Sequence, residues 1–260
     1  MSAVDTERDG GWLTVWFNEP ERRNPLTGAL LEETLGVLAG VREDRSVRGV
    51  VFRGRGKVFS AGGDLRQFRE FNLAGEREPV LAKSREIARL LDAVAEAPQI
   101  TVAAVHGAAV AGGLGLVCAC DYVVATEDAK FGFSETRIGL TPAQIAPFVL
   151  RRLGERVGRR LMLSAATFQG REAAEFGLVD EVVASEAELD ARVAAFRERA
   201  SGVAPGAVAG LKALLRDVPG LPREAQVERA AENFADSLLS DEAAEGMASF
   251  FEKRKPGWAS

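Results

Sequence analysis

Apolar and polar positions follow two different periods along the first 200 residues. Residues 11–17 (GWLTVWF) are bulky and β-branched and end at Asn18-Glu19-Pro20, which predicts a strand closed by a turn. Over 27–41 the apolar residues Leu30, Leu31, Leu35, Val37, Leu38 and Val41 recur at helical spacing, with Thr27 placed as the N-cap. Residues 48–53 (RGVVFR) predict a short strand. A second helix is predicted over 79–96, stopped by Ala97-Pro98. Residues 101–105, 121–126 (DYVVAT) and 178–183 predict further strands, the first of them buried.

This alternation of strand and helix predicts an α/β fold with substantial parallel pairing. From Glu186 onward the pattern is helical, punctuated by Pro205, Pro219 and Pro222. Segments 225–239 and 241–254 read as amphipathic helices. A composition shift near Ser201 divides the chain into a core over 1–200 and a helical region over 201–260. A helix pair that leaves an α/β core packs on another subunit or folds back on its own.

Charge changes the picture only modestly. The 33 basic and 38 acidic residues give a net charge of -5, against the basic footprint of a nucleic-acid binder. The polar start MSAVDTERDGG lacks the layout of a signal peptide, and no run approaches the length of a membrane span. A cytoplasmic protein without membrane or nucleic-acid partners is expected. Cys118 and Cys120 are too close and too few for a disulfide framework. With His106 as the only histidine, no Cys/His metal site is expected.

Two glycine-rich turns are the candidate chemistry. Lys57-Val58-Phe59-Ser60-Ala61-Gly62-Gly63-Asp64-Leu65 follows a strand and precedes a polar helical pattern, with Asp64 placed to cap that helix. Residues 105–116 follow a buried strand and open an apolar helix near Gly112. Free backbone N–H groups near Ala61 and Gly112 could converge on one oxygen as an oxyanion hole. Taken singly, either turn is more often a packing device. Neither matches a dinucleotide fingerprint or a P-loop.

Together with other segments the turns carry a resemblance. Arg23-Asn24-Pro25-Leu26, Phe59 to Leu65, Val105 to Gly113, Cys120-Asp121, Phe131-Gly132 with Glu135, Ile138-Gly139-Leu140, and Ser249 to Lys255 resemble, in order and spacing, the enoyl-CoA hydratase/isomerase (crotonase) superfamily. The resemblance implies a spiral of ββα units and a C-terminal helical trimerisation region, in homotrimers often paired into hexamers. It implies an acyl-CoA thioester substrate, with coenzyme A arriving as part of that substrate and no separate cofactor. Carried onto this sequence, it implies that Ala61 and Gly112 donate N–H groups to the thioester oxygen, beside Gly63 and Asp64. Arg23, Leu26 and Lys57 would line the coenzyme A channel. Phe250 and Lys253 would complete the nucleotide site, often from a neighbouring subunit; without the resemblance, EKRK reads as a solvated helix end.

One departure affects the chemistry. Many hydratases of this superfamily use two glutamates; here the first falls on Gly115 and the second on Glu135. Glu135 is then the only expected acid/base group, and the leading reading is a 2-enoyl-CoA hydratase. A single glutamate also suits a Δ3,Δ2-enoyl-CoA isomerase, and a non-catalytic acyl-CoA-binding member stays open. Residues 139–148 (GLTPAQIAPF) with 112–118 look like the isohexenylglutaconyl-CoA hydratases, whose substrates bear a second carboxylate. Arg137 is the candidate partner for that carboxylate, although an arginine at this spacing is more often a surface residue. His106 and Asp121 are expected to be structural. Gln144 and Phe68 are candidate pocket liners, with packing as the default role.

Overall fold

The computed structural model describes residues 2–259. Strands are β1 (Val4–Asp9), β2 (Trp12–Phe17), β3 (Pro25–Leu26), β4 (Gly49–Gly54), β5 (Gly62–Gly63), β6 (Ile100–Val105), β7 (Ala108–Val110), β8 (Tyr122–Thr126), β9 (Lys130–Gly132), β10 (Thr167–Gln169) and β11 (Glu181–Val183). Helices are α1 (Gly28–Val41), α2 (Leu65–Ala74), α3 (Arg77–Ala95), α4 (Gly112–Ala119), α5 (Ala146–Leu163), α6 (Gly170–Glu175), α7 (Glu186–Ser201), α8 (Pro205–Asp217), α9 (Arg223–Leu238) and α10 (Asp241–Phe251).

The main sheet has six strands in the order β1-β2-β4-β6-β8-β11, all parallel except for the antiparallel β1–β2 hairpin. Its central strands are apolar on both faces, as a covered parallel sheet requires. In β4, Val50 and Phe52 join the large core while Val51 joins a second cluster on the opposite face. The same alternation places Ala103 and Val105 against Val102 and Ala104 in β6. Leu189 and Val193 of α7 cover the second face. Smaller sheets, β10-β9-β7 and β3-β5, meet through a bridge between Ser60 and Ala109 and form the layer that carries the site.

Thr27 caps α1 through its side chain, as expected from the sequence. β1 lies in a stretch that reads as a polar tail. It is an edge strand with Val4 buried, Asp5 partly covered and Thr6 to Asp9 exposed, so it carries almost no apolar signal. The strand expected over 178–183 is shorter: Leu178 and Val179 are buried in the turn before β11. Beyond residue 201, α8 and α9 contain no buried residue. Phe234, Phe250 and Phe251 are among the exposed apolar side chains of this region. Among the described residues no helix is long and apolar enough to cross a membrane.

Candidate active site

Asn24 holds the first turn in place. Arg23 and Asn24 both have positive φ (65° and 51°), a conformation asparagine tolerates better than most residues. The buried Asn24 amide donates to the carbonyls of Arg55 and Val58 at 3.0 and 2.9 Å, while its own carbonyl accepts from Ser60 Oγ at 2.7 Å. The two glycine turns then pack backbone to backbone. A Cβ on Gly107 (φ 63°) would stand 1.9 Å from the Lys57 carbonyl oxygen, so only glycine fits. A Cβ on Gly62 (φ 81°) would stand 2.6 Å from the Val110 carbonyl oxygen.

This packing corrects the expected donor pair. The Ala61 N–H donates to the Arg23 carbonyl at 2.9 Å, so it is committed to joining the loops. The Gly62 N–H goes to Ser60 Oγ at 3.2 Å. Pro25 has no N–H, so the β3–β5 ladder must run through Leu26, which turns the Gly63 amide away from β3. The Gly63 nitrogen lies 3.7 Å from the point where a Gly112 Cβ would stand. Gly112 is the first residue of α4, where an N–H has no acceptor within the helix and carries the positive end of its dipole. Ala111 before it has φ 49° and ψ −123°, a conformation costing roughly 1–3 kcal/mol for a residue with a Cβ.

Both glycines line a cavity of about 390 Å³ together with Ala61, Phe68, Ile87 and Glu135. Glu135 is its only carboxylate. It opens a 3-10 turn, Glu135–Ile138, closed by Gly139 at φ 78°. One Glu135 oxygen, Oε2, is buried without a hydrogen-bond partner. Burial raises the Glu135 pKa above the ordinary glutamate value, opposed by the backbone amides of Glu135 and Ser134. The result is a carboxyl that is easier to protonate than a surface glutamate and a stronger base once ionised.

Position 115 leaves no room for a second acid. A Cβ there would stand 2.1 Å from Ile145 Cγ2 and 2.7 Å from Ile145 Cβ. Ile145 is buried and lines the cavity, so a branched aliphatic side chain occupies the direction a residue-115 side chain would take. Gly115→Ala should therefore overpack this contact by about 1–3 kcal/mol and lower Tm by about 2–10 °C in a circular dichroism melt. Ile145→Ala should cost less in the Gly115→Ala background than in wild type, because the added methyl fills part of the space vacated; an unchanged Tm in the single variant would refute the contact.

The sequence model of the enoyl-CoA hydratase/isomerase family matches residues 7–260. The chain belongs to the enoyl-CoA hydratase/isomerase family. Among solved structures, Pseudomonas aeruginosa AtuE is 41% identical with a TM-score of 0.96, covering 99% of this chain and 100% of that one. The peroxisomal Delta(3,5)-Delta(2,4)-dienoyl-CoA isomerase of Arabidopsis thaliana is 31% identical over 276 residues, 100% of this chain and 96% of that protein. The 2,3-dehydroadipyl-CoA hydratase of Escherichia coli (strain K12) is 28% identical over 261 residues, 98% of each chain. The crotonase fold and membership of an enzyme family of hydratases and isomerases are thereby shown.

Against this enoyl-CoA hydratase/isomerase frame, the remaining site residues fall in different places. Phe68 and Gln144 line the cavity. Leu26 is buried beneath Gly112. Asp64 caps α2 and pairs with Arg22 at 2.6 Å. Arg23 and Lys57 are exposed at the loop surface, and Phe250 and Lys253 are exposed on and just after α10, outside the cavity lining. Arg137 donates to the Ala165 carbonyl at 3.0 Å and does not line the cavity, so it is not placed to meet an acyl carboxylate. His106 Nε2 is hydrogen-bonded to the Gly56 carbonyl at 2.9 Å, and Asp121 ties Thr101 to Lys212. Burial pushes the Cys118 thiol up to about 12. Among the described residues no group of three or more His, Cys, Asp or Glu could hold a metal ion. Lys83 and Ser84 also line the cavity and were missed in the sequence. The signal was there: Lys83 sits on the stripe of Val80, Ile87, Leu90, Leu91 and Val94, where an apolar residue belongs.

Proposed function

We propose that this protein is an enoyl-CoA hydratase that adds water across a 2-enoyl-CoA thioester with Glu135 as its single acid/base group. The observation that carries the reading is the lone carboxylate of the cavity, one oxygen buried and unpartnered, beside the two glycine amides. In the proposed step, ionised Glu135 takes a proton from water and the hydroxide adds to C3. The electron pair moves onto the thioester oxygen, held by the N–H groups of Gly63 and Gly112. Protonated Glu135 then gives its proton to C2, so the carboxylate is restored and water is added overall. Full-length similarity to the E. coli hydratase supports this reading.

A second reading rests on Ile145. With that side chain in the direction of a second acid, one carboxylate remains, which is what moving a proton between C4 and C2 needs. The Arabidopsis relative, a dienoyl-CoA isomerase by name, shows that double-bond migration occurs in this family. Separate incubations with 2-enoyl and 3-enoyl thioesters decide between them. A 3-hydroxyacyl product from the 2-enoyl thioester is expected; double-bond migration without that product would replace hydration by isomerisation. We also infer that region 201–260 packs on other copies of the chain, bringing Phe250 and Lys253 to a neighbour's coenzyme A channel. The exposed Phe234, Phe250 and Phe251 support that assembly.

A further inference from the structure

Lys83 is 5% exposed, yet its Nζ makes no hydrogen bond. Lysine is almost never this buried without a partner, because an ammonium brings three donors and a full charge out of water. The nearest acid, Glu86, lies at 3.5 Å and is 39% exposed on the outer side of α3. This i,i+3 ion pair balances the charge, yet Nζ has no hydrogen-bond acceptor. Lys83 lines the same cavity as Glu135, and its neighbours there include Phe68, Phe71, Val80 and Ile87. A lysine serving only the helix surface would extend its stem and place its head in water.

Across the cavity, Gln144 Nε2 donates to Ser84 Oγ at 2.7 Å, pinning the 139–145 loop to α3 one residue from Lys83. The cation is therefore held in a braced wall instead of on a mobile loop. An apolar acyl tail would leave its donors unpaired, while an anionic oxygen would satisfy them.

Building on the hydratase reading, we propose that Lys83 is a substrate-specificity residue, pairing with a carboxylate carried by the acyl group of the enoyl-CoA. Two enoyl-CoA thioesters of equal length test this, one bearing a carboxylate at its distal end and one a methyl ester there. Wild type should favour the carboxylate in kcat/KM by about 10–200-fold, the range of a hydrogen bond to a charged group. Lys83→Met should abolish that preference while keeping or improving turnover of the ester, and Lys83→Arg should keep part of it. The same pair measured by calorimetric binding to Glu135→Gln protein reads recognition without chemistry. A binding preference in that variant alongside absent turnover in wild type would overturn the hydratase reading and leave Lys83's role standing. Equal kcat/KM and equal binding of the two thioesters in wild type, or an unchanged ratio in Lys83→Met, would overturn the proposal for Lys83.

Discussion

Glu135→Gln is expected to lower kcat by at least about 10³-fold while leaving coenzyme A thioester binding within a few-fold of wild type. General acid–base catalysis by one positioned group contributes about 10²–10⁴-fold, and here the same carboxyl handles both proton transfers. The substitution keeps the size of the side chain and removes only its ability to exchange a proton. Turnover surviving in the variant would show that another group carries the chemistry. Titration adds a second signature. Burial raises the Glu135 pKa, so the basic form required to start hydration appears only at a pH above the ordinary glutamate range, and kcat/KM should fall on the acid side from that higher point. For stability the sign is opposite to that of a salt-bridged acid. Between the unfolded value and the raised folded value the native state holds the extra proton, so stability falls as pH rises through that window. Glutamine carries no such penalty, and Glu135→Gln should melt higher than wild type at neutral pH but not at pH 4.

Gly63→Pro tests the amide that replaces Ala61 as the proposed donor, and is expected to cost about 10²–10³-fold in kcat, the usual effect of losing one oxyanion donor. Proline removes the N–H, and Gly62 before it accepts the backbone restriction proline imposes. The control is Gly63→Ala, which keeps the N–H. Its Cβ would meet the Phe68 ring at 2.6 Å, a side-chain contact that can rotate away, so its kcat should stay within about tenfold of wild type. Equal losses in the two variants, measured by steady-state kinetics with a 2-enoyl thioester, would assign the effect to packing against Phe68 and not to the amide.

The sequence made some of this legible and hid the rest for physical reasons. The parallel sheet was readable because β4, β6 and β8 are apolar on both faces. α1 was readable through its Thr27 cap and helical stripe. β1 was not, since an edge strand with almost all of its residues facing solvent has no periodic signal. The two turns could be seen to supply amides, but not which ones. That depends on which N–H points toward Arg23 and which toward α4, a property of register and not of composition. Arg137 was the candidate partner for a substrate carboxylate, with a surface arginine as the commoner reading. On the 3-10 turn its side chain leads to the Ala165 carbonyl, while Lys83, over fifty residues earlier, lines the same cavity as Glu135.

The contact between position 115 and Ile145 also bears on how such an enzyme can change. An acid at 115 has nowhere to go while the isoleucine stands there, and shortening the isoleucine alone opens a void that costs stability. Each step toward a two-acid site is unfavourable on its own, so either single change gives a weakened protein. Installing a second carboxylate therefore calls for both positions to change together, the small residue growing as the branched one shrinks.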